Sequence, residues 1–313
     1  MKVNNVLIIG ASGFLGQYIY NAFMNKGYIV YTLGRTKISP KYHITADIKN
    51  TTIQLPNIYF HHVVHVSGKA HVYPKTNEEC IEFMQVNFDG TKHILNALDA
   101  NTLMPKYYTF ISTVAVYGLE EGNAISEQYE PKPITVYGDS KLKAEKAIEL
   151  WGNKNNISYL ILRLPLVIGI DAPGNFGSMK IAISKGRYPK IKKNNTKKSM
   201  VLARDVANLI KDYKGKYSGV YNITDGYHPS FNEVEIAMQK RLNKKILLQL
   251  PLWSIKILAN IGDFMERIIK KEMPISSSRL KKLTSTLIFD DTKARNELGW
   301  KPNPVLPFIE KEL

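Results

Sequence analysis

Three glycines, Gly10, Gly13 and Gly16, follow directly on an apolar run at residues 6–9. They open a stretch of helical periodicity, with Leu15, Ile19, Ala22 and Phe23 on one face, that ends at Gly27. A second apolar run follows at residues 29–33. Strand, glycine turn, helix and strand in this order make a βαβ unit, and a helical crossover commits the two strands to a parallel sheet. The glycines permit a tight turn and close backbone approach, and the helix N-terminus offers N–H groups to a pyrophosphate. The spacing is G-x-x-G-x-x-G, not the more usual G-x-G-x-x-G. An ordinary turn could carry three glycines; the flanking strands and helix set this one apart.

The end of the second strand normally carries an acid for a ribose 2′-hydroxyl. Here Arg35 stands beside that position and no carboxylate is present. An arginine suits a 2′-phosphate, which favours NADP(H) over NAD(H); a solvated arginine at a strand end would read the same. Residues 42–46 form a short third strand, and Asp47-Ile48 after it border an adenine pocket or a simple turn. A fourth strand at 63–66 ends in Ser67-Gly68, and a helix is expected over 77–100. A fifth, at 107–111, runs into Ser112-Thr113. In an open parallel sheet, ligands bind beyond the carboxyl ends of strands, so these hydroxyls stand at the right rim. Tyr137 and Lys141 then open a helix-rich stretch. At i and i+4 they share a helix face, and an adjacent cation should lower the phenol's pKa and make it a usable acid/base.

Past a sixth strand at 159–164 the alternation breaks. Residues 165–200 are loop-rich and include the basic run 190–198. A strand-helix piece at 201–210 and a strand at 220–223 return to the sheet; helices at 231–242 and 252–271 and a short strand near 245–249 follow. The last helix carries Trp253, Ile257, Leu258, Ile261, Phe264, Met265 and Ile268 as an apolar stripe. A core or dimer face is the expectation for such a stripe, ahead of peripheral membrane contact. The formal charge of +16 attracts anions, but no nucleic-acid motif accompanies it. Cys80 is the single cysteine, which excludes an intramolecular disulfide. Histidines 61, 62, 65, 71 and 93 lack metal-ligand spacing, so no metal is expected. The first apolar run is too short to span a membrane and lacks a cleavage-site pattern, so a cytoplasmic protein is expected.

Taken together, these residues resemble the extended short-chain dehydrogenase/reductase family, and more narrowly its nucleotide-sugar epimerase/dehydratase group. The likeness rests on the glycine turn, Asp47-Ile48, Asn87-Phe-Asp-Gly-Thr91, Ser112-Thr113-x-x-x-Tyr117-Gly118 and Tyr137-Gly-x-Ser-Lys141. Leu162-Arg163-x-Pro165-x-x-x-Gly169 and Asp291-x-Lys293-Ala-Arg295-x-x-Leu-Gly-Trp300-x-Pro302 complete it. The resemblance implies an α/β Rossmann fold, a doubly wound parallel sheet, with a smaller, mixed α/β C-terminal substrate-binding domain. Residues 1–165, with 201–225 returning, would bind the cofactor; 166–200 and 226–313 would bind substrate. It implies NADP(H) or NAD(H) held by Gly10, Ser12, Gly13, Phe14, Leu15, Gly16, Arg35, Asp47, Ile48, Ser67, Gly68, Tyr137 and Lys141. Thr113, Tyr137 and Lys141 would be catalytic. Asn175, Lys198 and Arg279, with Thr113, would bind a nucleotide-diphosphate sugar, with Lys198 replacing a family arginine. A homodimer through helices near 80–100 and 140–150 is also implied.

Departures from the family narrow the reaction. The 4,6-dehydratases of this group carry an Asp-Glu pair after the threonine; here Val114 and Ala115 stand there. The GDP-fucose type carries a cysteine that Val114 replaces. A 4-epimerase or a 4-ketoreductase remains. A reductase of a non-sugar alcohol and a non-catalytic NADP-sensing protein are the alternatives; Asn175-Phe176 weighs against the first and the intact Thr113, Tyr137 and Lys141 against the second.

Overall fold

The first strand shows why the fold is layered. Val6 and Ile8 point into one apolar cluster, and Leu7 and Ile9 into another on the opposite face. A strand alternates sides with period two, so a strand apolar at every position must be covered on both faces. Full burial of each such side chain is worth about 1.5–3 kcal/mol.

The computed structural model describes residues 4–38, 41–70, 74–192, 194–246, 248–269 and 276–313, without the side chains of 266–269, 278 and 279. In chain order it begins β1 (Asn5–Ile9), α1 (Phe14–Asn25), β2 (Ile29–Gly34), β3 (His43–Thr45) and β4 (Phe60–His65). Next come α2 (Asn77–Met84), a π-helical turn (Gln85–Asp89), α3 (Gly90–Asp99), β5 (Tyr107–Thr113) and a 3₁₀ turn (Val114–Tyr117). Then follow β6 (Gly122–Ile125), α4 (Val136–Lys154), β7 (Ser158–Leu164), β8 (Leu166–Ile168), α5 (Gly174–Ser184) and β9 (Lys190–Ile191). The chain continues through β10 (Met200–Leu202), α6 (Ala203–Asp212), β11 (Gly219–Asn222), α7 (Phe231–Leu242), β12 (Gln249–Leu250) and α8 (Leu252–Ile269). It closes with α9 (Ser277–Thr284), β13 (Leu287–Phe289), α10 (Thr292–Leu298) and α11 (Val305–Lys311).

Seven strands form one parallel sheet in the order β11-β7-β5-β4-β1-β2-β3. β1 therefore lies at the point where the chain turns from one half of the sheet to the other, and a crevice opens there beyond the strand ends. α1 and α6 cover one face and α3 and α4 the other. The remaining strands pair in three two-stranded parallel ladders, β8 with β10, β9 with β12, and β6 with β13. This is the expected α/β doubly wound sheet with smaller mixed α/β elements beside it. A separate cluster of Phe176, Met179, Val234, Met238, Phe308 and Ile309 packs α5, α7 and α11 together.

One expectation needs correction, and another loses one of its options. The helix expected over 77–100 is broken at Gln85–Asp89, where the chain makes a π turn. A π turn inserts one residue into the helix and re-aims a side chain; here the re-aimed residue is the buried Asn87. The stripe on α8 is not core: Trp253, Ile257, Leu258, Ile261 and Phe264 are all exposed. The core-facing residues of that helix are Ile255 and Ala259. Of the rest of the stripe, Met265 is half-buried and the side chain of Ile268 lies outside the described residues. Among the described residues, no helix is long and apolar enough to cross a membrane.

Candidate active site

A cavity of about 730 Å³ opens at the strand ends around β1. One wall is the glycine turn. Gly10 has φ +89°, a conformation that favours glycine, and a Cβ there would lie 2.6 Å from the backbone nitrogen of Ser67. A Cβ on Gly16 would lie 2.3 Å from the Gly10 carbonyl, so glycine lets α1 start this close to the turn. No side chain caps the N-terminus of α1, and its first turn holds no acid. Its N–H groups and positive dipole end thus remain for an anion from outside the chain. Ser12, Gly13, Phe14 and Leu15 line the cavity at this end.

Arg35 and Thr36, just past β2, line the cavity with Asp47 and Ile48. Ile48 is buried against Gly90 of α3, and its carbonyl is bonded by His93 Nδ1 at 2.9 Å. Ser67 and Gly68, past β4, form the floor. The Ser67 hydroxyl is buried and has no hydrogen-bond partner among the described residues. A buried polar atom without a partner is rare, and this one lines the cavity where a cofactor is expected. The uncapped helix start, the cavity lined by Gly10 and Gly13 and this hydroxyl all fit a dinucleotide. Asn87 braces the same wall. Its Oδ1 accepts from the Lys69 backbone at 2.7 Å, and its Nδ2 donates to the Lys69 carbonyl at 3.1 Å and to Ser140 Oγ at 3.0 Å.

Across the cavity stand Thr113, Tyr137 and Lys141. Thr113 ends β5, and its hydroxyl accepts from Ala115 N at 3.1 Å, capping the 3₁₀ turn. Thr135 caps α4 by accepting from Gly138 N at 3.1 Å, so the helix begins one residue before Tyr137. Tyr137 packs edge-on against Phe83, with ring centroids 6.1 Å apart. Burial pushes its pKa up to about 12, and a hydrogen bond with Thr113 opposes that rise. The expected lowering is thus outweighed, because desolvation of the phenolate costs more than nearby polar groups return. Lys141 is 3 % exposed. Its Nζ sits 3.8 Å above the Phe110 ring. Burial pulls its pKa down to about 7, and the charge of Glu145 works against that fall.

Glu145, one turn beyond Lys141 on α4, is itself buried. Arg163 Nε donates to both of its oxygens at 3.2 Å and Nη2 to one at 2.7 Å, and the Ser112 hydroxyl donates to it as well. Arg163 also lies 4.8 Å over the Tyr117 ring, whose hydroxyl donates to Asn222 Oδ1 at 2.8 Å. The sequence motifs contain Ser112, Tyr117 and Arg163 but not Glu145 or Asn222, and the register pairing Ser112 with Arg163 brings them together.

Two expected substrate residues, Asn175 and Lys198, do not line this cavity. Asn175 is exposed in the first turn of α5, just past the cavity-lining Pro173. Lys198 is half-buried beyond it; burial lowers its pKa and the charge of Glu120 opposes this. The side chain of Arg279 lies outside the described residues, as does His71. Sequence reasoning missed Lys69 and Glu82, an ion pair at the cavity wall. It also left out Pro165, Leu166 and Val167 as lining residues, although Pro165 stands in a quoted motif. His62 and His65 are buried and bonded to Thr109 and Tyr108.

Among curated proteins, the chain is 29 % identical to N-acetyl-alpha-D-glucosaminyl-diphospho-ditrans,octacis-undecaprenol 4-epimerase of Escherichia coli O157:H7, over 94 % of this chain and 89 % of that one. It is 26 % identical to UDP-glucose 4-epimerase of Vibrio cholerae, over 96 % and 92 %. The fold matches the crystal structure of Thermus thermophilus UDP-glucose 4-epimerase in complex with NAD, with a TM-score of 0.72, 20 % identity and 99 % of this chain covered. A family model described as NAD dependent epimerase/dehydratase matches residues 6–211, from the first strand of the sheet to the helix α6 that closes its far face. With both walls of the cavity inside that match, the chain is an enzyme of the NAD dependent epimerase/dehydratase family.

Proposed function

We propose that the enzyme inverts the C4 hydroxyl of a sugar carried on a diphosphate, as a nucleotide-sugar 4-epimerase. The observation that carries this reading is that Thr113, Tyr137 and Lys141 share one cavity with the uncapped start of α1. Gly10 to Gly16, Arg35, Asp47, Ile48, Ser67 and Gly68 would hold a nicotinamide dinucleotide, which when bound removes and returns the hydride at C4. In the oxidising half Tyr137, as phenolate, takes the proton of the C4 hydroxyl as the hydride leaves, and in the reducing half its phenol returns that proton to the sugar oxygen; burial makes the phenolate the costly form. Thr113 orients that oxygen, and Lys141 supports the phenolate when it forms. Val114 and Ala115 offer no acid or base for eliminating water, which supports simple redox at one carbon.

In this reading residues 1–165 with 201–225 hold the cofactor, and 166–200 with 226–313 hold the substrate. Asn175, Lys198 and Arg279 belong to the substrate half, and Lys198 and Lys281 of that half both approach Glu120 of the other. A homodimer through α2, α3 and α4 goes with it, supported by the exposed Ile81 and Leu150 on α2 and α4. The diphosphate carrier is a nucleotide in the name of the Vibrio relative and an undecaprenol in that of the Escherichia relative. Arg35 supports a second reading, a 4-ketoreductase using NADPH, because a cation at the end of β2 suits a 2′-phosphate.

One experiment tests both. The enzyme is incubated with NAD or NADPH and a panel of UDP-, GDP-, dTDP- and polyprenyl-diphosphate sugars, and reduced-nicotinamide absorbance is followed beside product stereochemistry. Epimerisation with no net absorbance change supports the first reading; net loss of NADPH supports the second. Tyr137→Phe should retain cofactor binding and lose nearly all turnover, and full activity in that variant would sink both.

A further inference from the structure

Helix α8 is apolar on two opposite faces. Ile255 and Ala259 bury themselves against Leu250, Ile191 and Leu280. On the other side Trp253, Ile257, Ile261 and Phe264 follow one another at i, i+4, i+8 and i+11, and are 66, 52, 53 and 62 % exposed. Side chains at these spacings form one stripe. Leu252 and Leu258 widen it, and Leu248, just before β12, is exposed beside its start. Single exposed apolar residues are normal, but a continuous stripe with an aromatic ring at each end is an interaction surface.

Charge selects what covers it. Lys256 is exposed on α8 itself, and Lys244 and Lys245 are exposed in the turn leading to it. Lys192 is exposed as well, and its backbone bonds the Leu250 carbonyl at 2.9 Å, where the chain enters the helix. The whole chain carries +16. In a twofold dimer built on this face, the same patch would meet itself and bring these lysines together. An anionic surface neutralises them instead. The helix is 18 residues long, about 27 Å, and does not qualify as a membrane span. An apolar stripe on a helix that does not span, with Lys256 exposed on that helix and further lysines exposed in the segments that lead into it, is the pattern of one lying in the plane of a bilayer.

We propose that the outer face of α8, Trp253, Ile257, Ile261 and Phe264, docks the enzyme onto an anionic lipid bilayer, with Lys192, Lys244, Lys245 and Lys256 against the headgroups. This inference rests on the surface alone and does not depend on the reaction proposed above.

The test uses the full chain with vesicles of phosphatidylcholine alone or with about one-third phosphatidylglycerol. Trp151 and Trp300 are buried, so Trp253 reports the face. Co-sedimentation with the anionic vesicles, a blue shift of the tryptophan emission and weakening by at least tenfold in high salt are expected. The variant Ile257→Ser/Ile261→Ser/Phe264→Ser should lose at least tenfold in binding while its cofactor binding and melting temperature stay as in wild type. Lys244→Glu/Lys245→Glu should weaken binding separately. Failure to bind anionic vesicles overturns the proposal. So does binding that the triple variant leaves intact, or a sedimentation mass of two chains that the triple variant halves without any vesicle binding.

Discussion

Replacing Lys141 by methionine tests the electrostatics of the site through a property that needs no substrate. A free lysine ionises near 10.5, and in the fold Lys141 is held near 7 by burial. Between those values the unfolded chain binds a proton at this position that the folded chain has released. Stability therefore rises with pH through the window. Below pH 7 both states hold the proton and the dependence on pH vanishes; above 10.5 neither does. Lys141 is 3 % exposed, so solvent screening does little to reduce the effect. The whole window amounts to roughly 5 kcal/mol at 1.36 kcal/mol per pH unit, and the part between pH 7 and 9 to roughly 2 kcal/mol. Other groups titrate in the same range, and subtracting the variant from the wild type removes their share. Urea denaturation at pH 7, 8 and 9 should show the wild type gaining about 2 kcal/mol more than Lys141→Met. Methionine fills much of the same volume without a charge, so the variant should fold. Its turnover should fall roughly 10²–10⁴-fold, the range for a group that assists proton transfer. Equal pH slopes in the two proteins would refute the reasoning, because Lys141 would then keep its proton through pH 9.

Glu145→Gln should destabilise by about 3–5 kcal/mol, because Arg163 is left as an uncompensated buried charge. A melting temperature lower by roughly 5–8 °C is the expected reading, and Glu145→Leu/Arg163→Leu should recover most of it. A loss of less than a degree in the single variant would mean the pair contributes little. Arg35→Asp should shift the ratio of NAD to NADPH affinity at least tenfold toward NAD, measured by calorimetric titration. An unchanged ratio would remove Arg35 from the ribose end of the cavity.

The parts of the fold set by local pattern were legible. The run from β1 to β2 carries its own periodicities and punctuating glycines, so strand, turn, helix and strand appear within a residue or two of their observed ends. Tyr137 and Lys141 share a helix face whatever surrounds them. Features that depend on distant chain were not legible. A π turn leaves no periodic mark, so the break at Gln85–Asp89 that aims Asn87 at Lys69 and Ser140 reads as plain helix. The stripe on α8 was visible, but a helix apolar on both sides gives no sign of which side the chain covers. The direction of the Tyr137 shift failed for the same reason. Sequence adjacency registers the neighbouring cation and says nothing of how dry the position is.

That dryness explains why Glu145 does not restore the lysine. A carboxylate one turn along the helix should raise the pKa of Lys141, and its charge does act in that direction. Yet Glu145 is already held by three contacts from Arg163, two at 3.2 Å and one at 2.7 Å, and by the Ser112 hydroxyl. A carboxylate paired this closely presents little net charge to a third group, because the guanidinium field cancels most of its own. Burial then decides the lysine's state. Ser112 and Arg163 stand opposite each other on β5 and β7, so the strands that carry Thr113 to the cavity also clamp the carboxylate beneath it. The arrangement leaves a phenol and an amine that are both costly to ionise, and their proton balance follows whatever charge next enters the cavity. Loosening the clamp should therefore show at Lys141 before it shows at Tyr137, since Glu145 acts on the lysine's pKa while the group opposing burial at the phenol is Thr113.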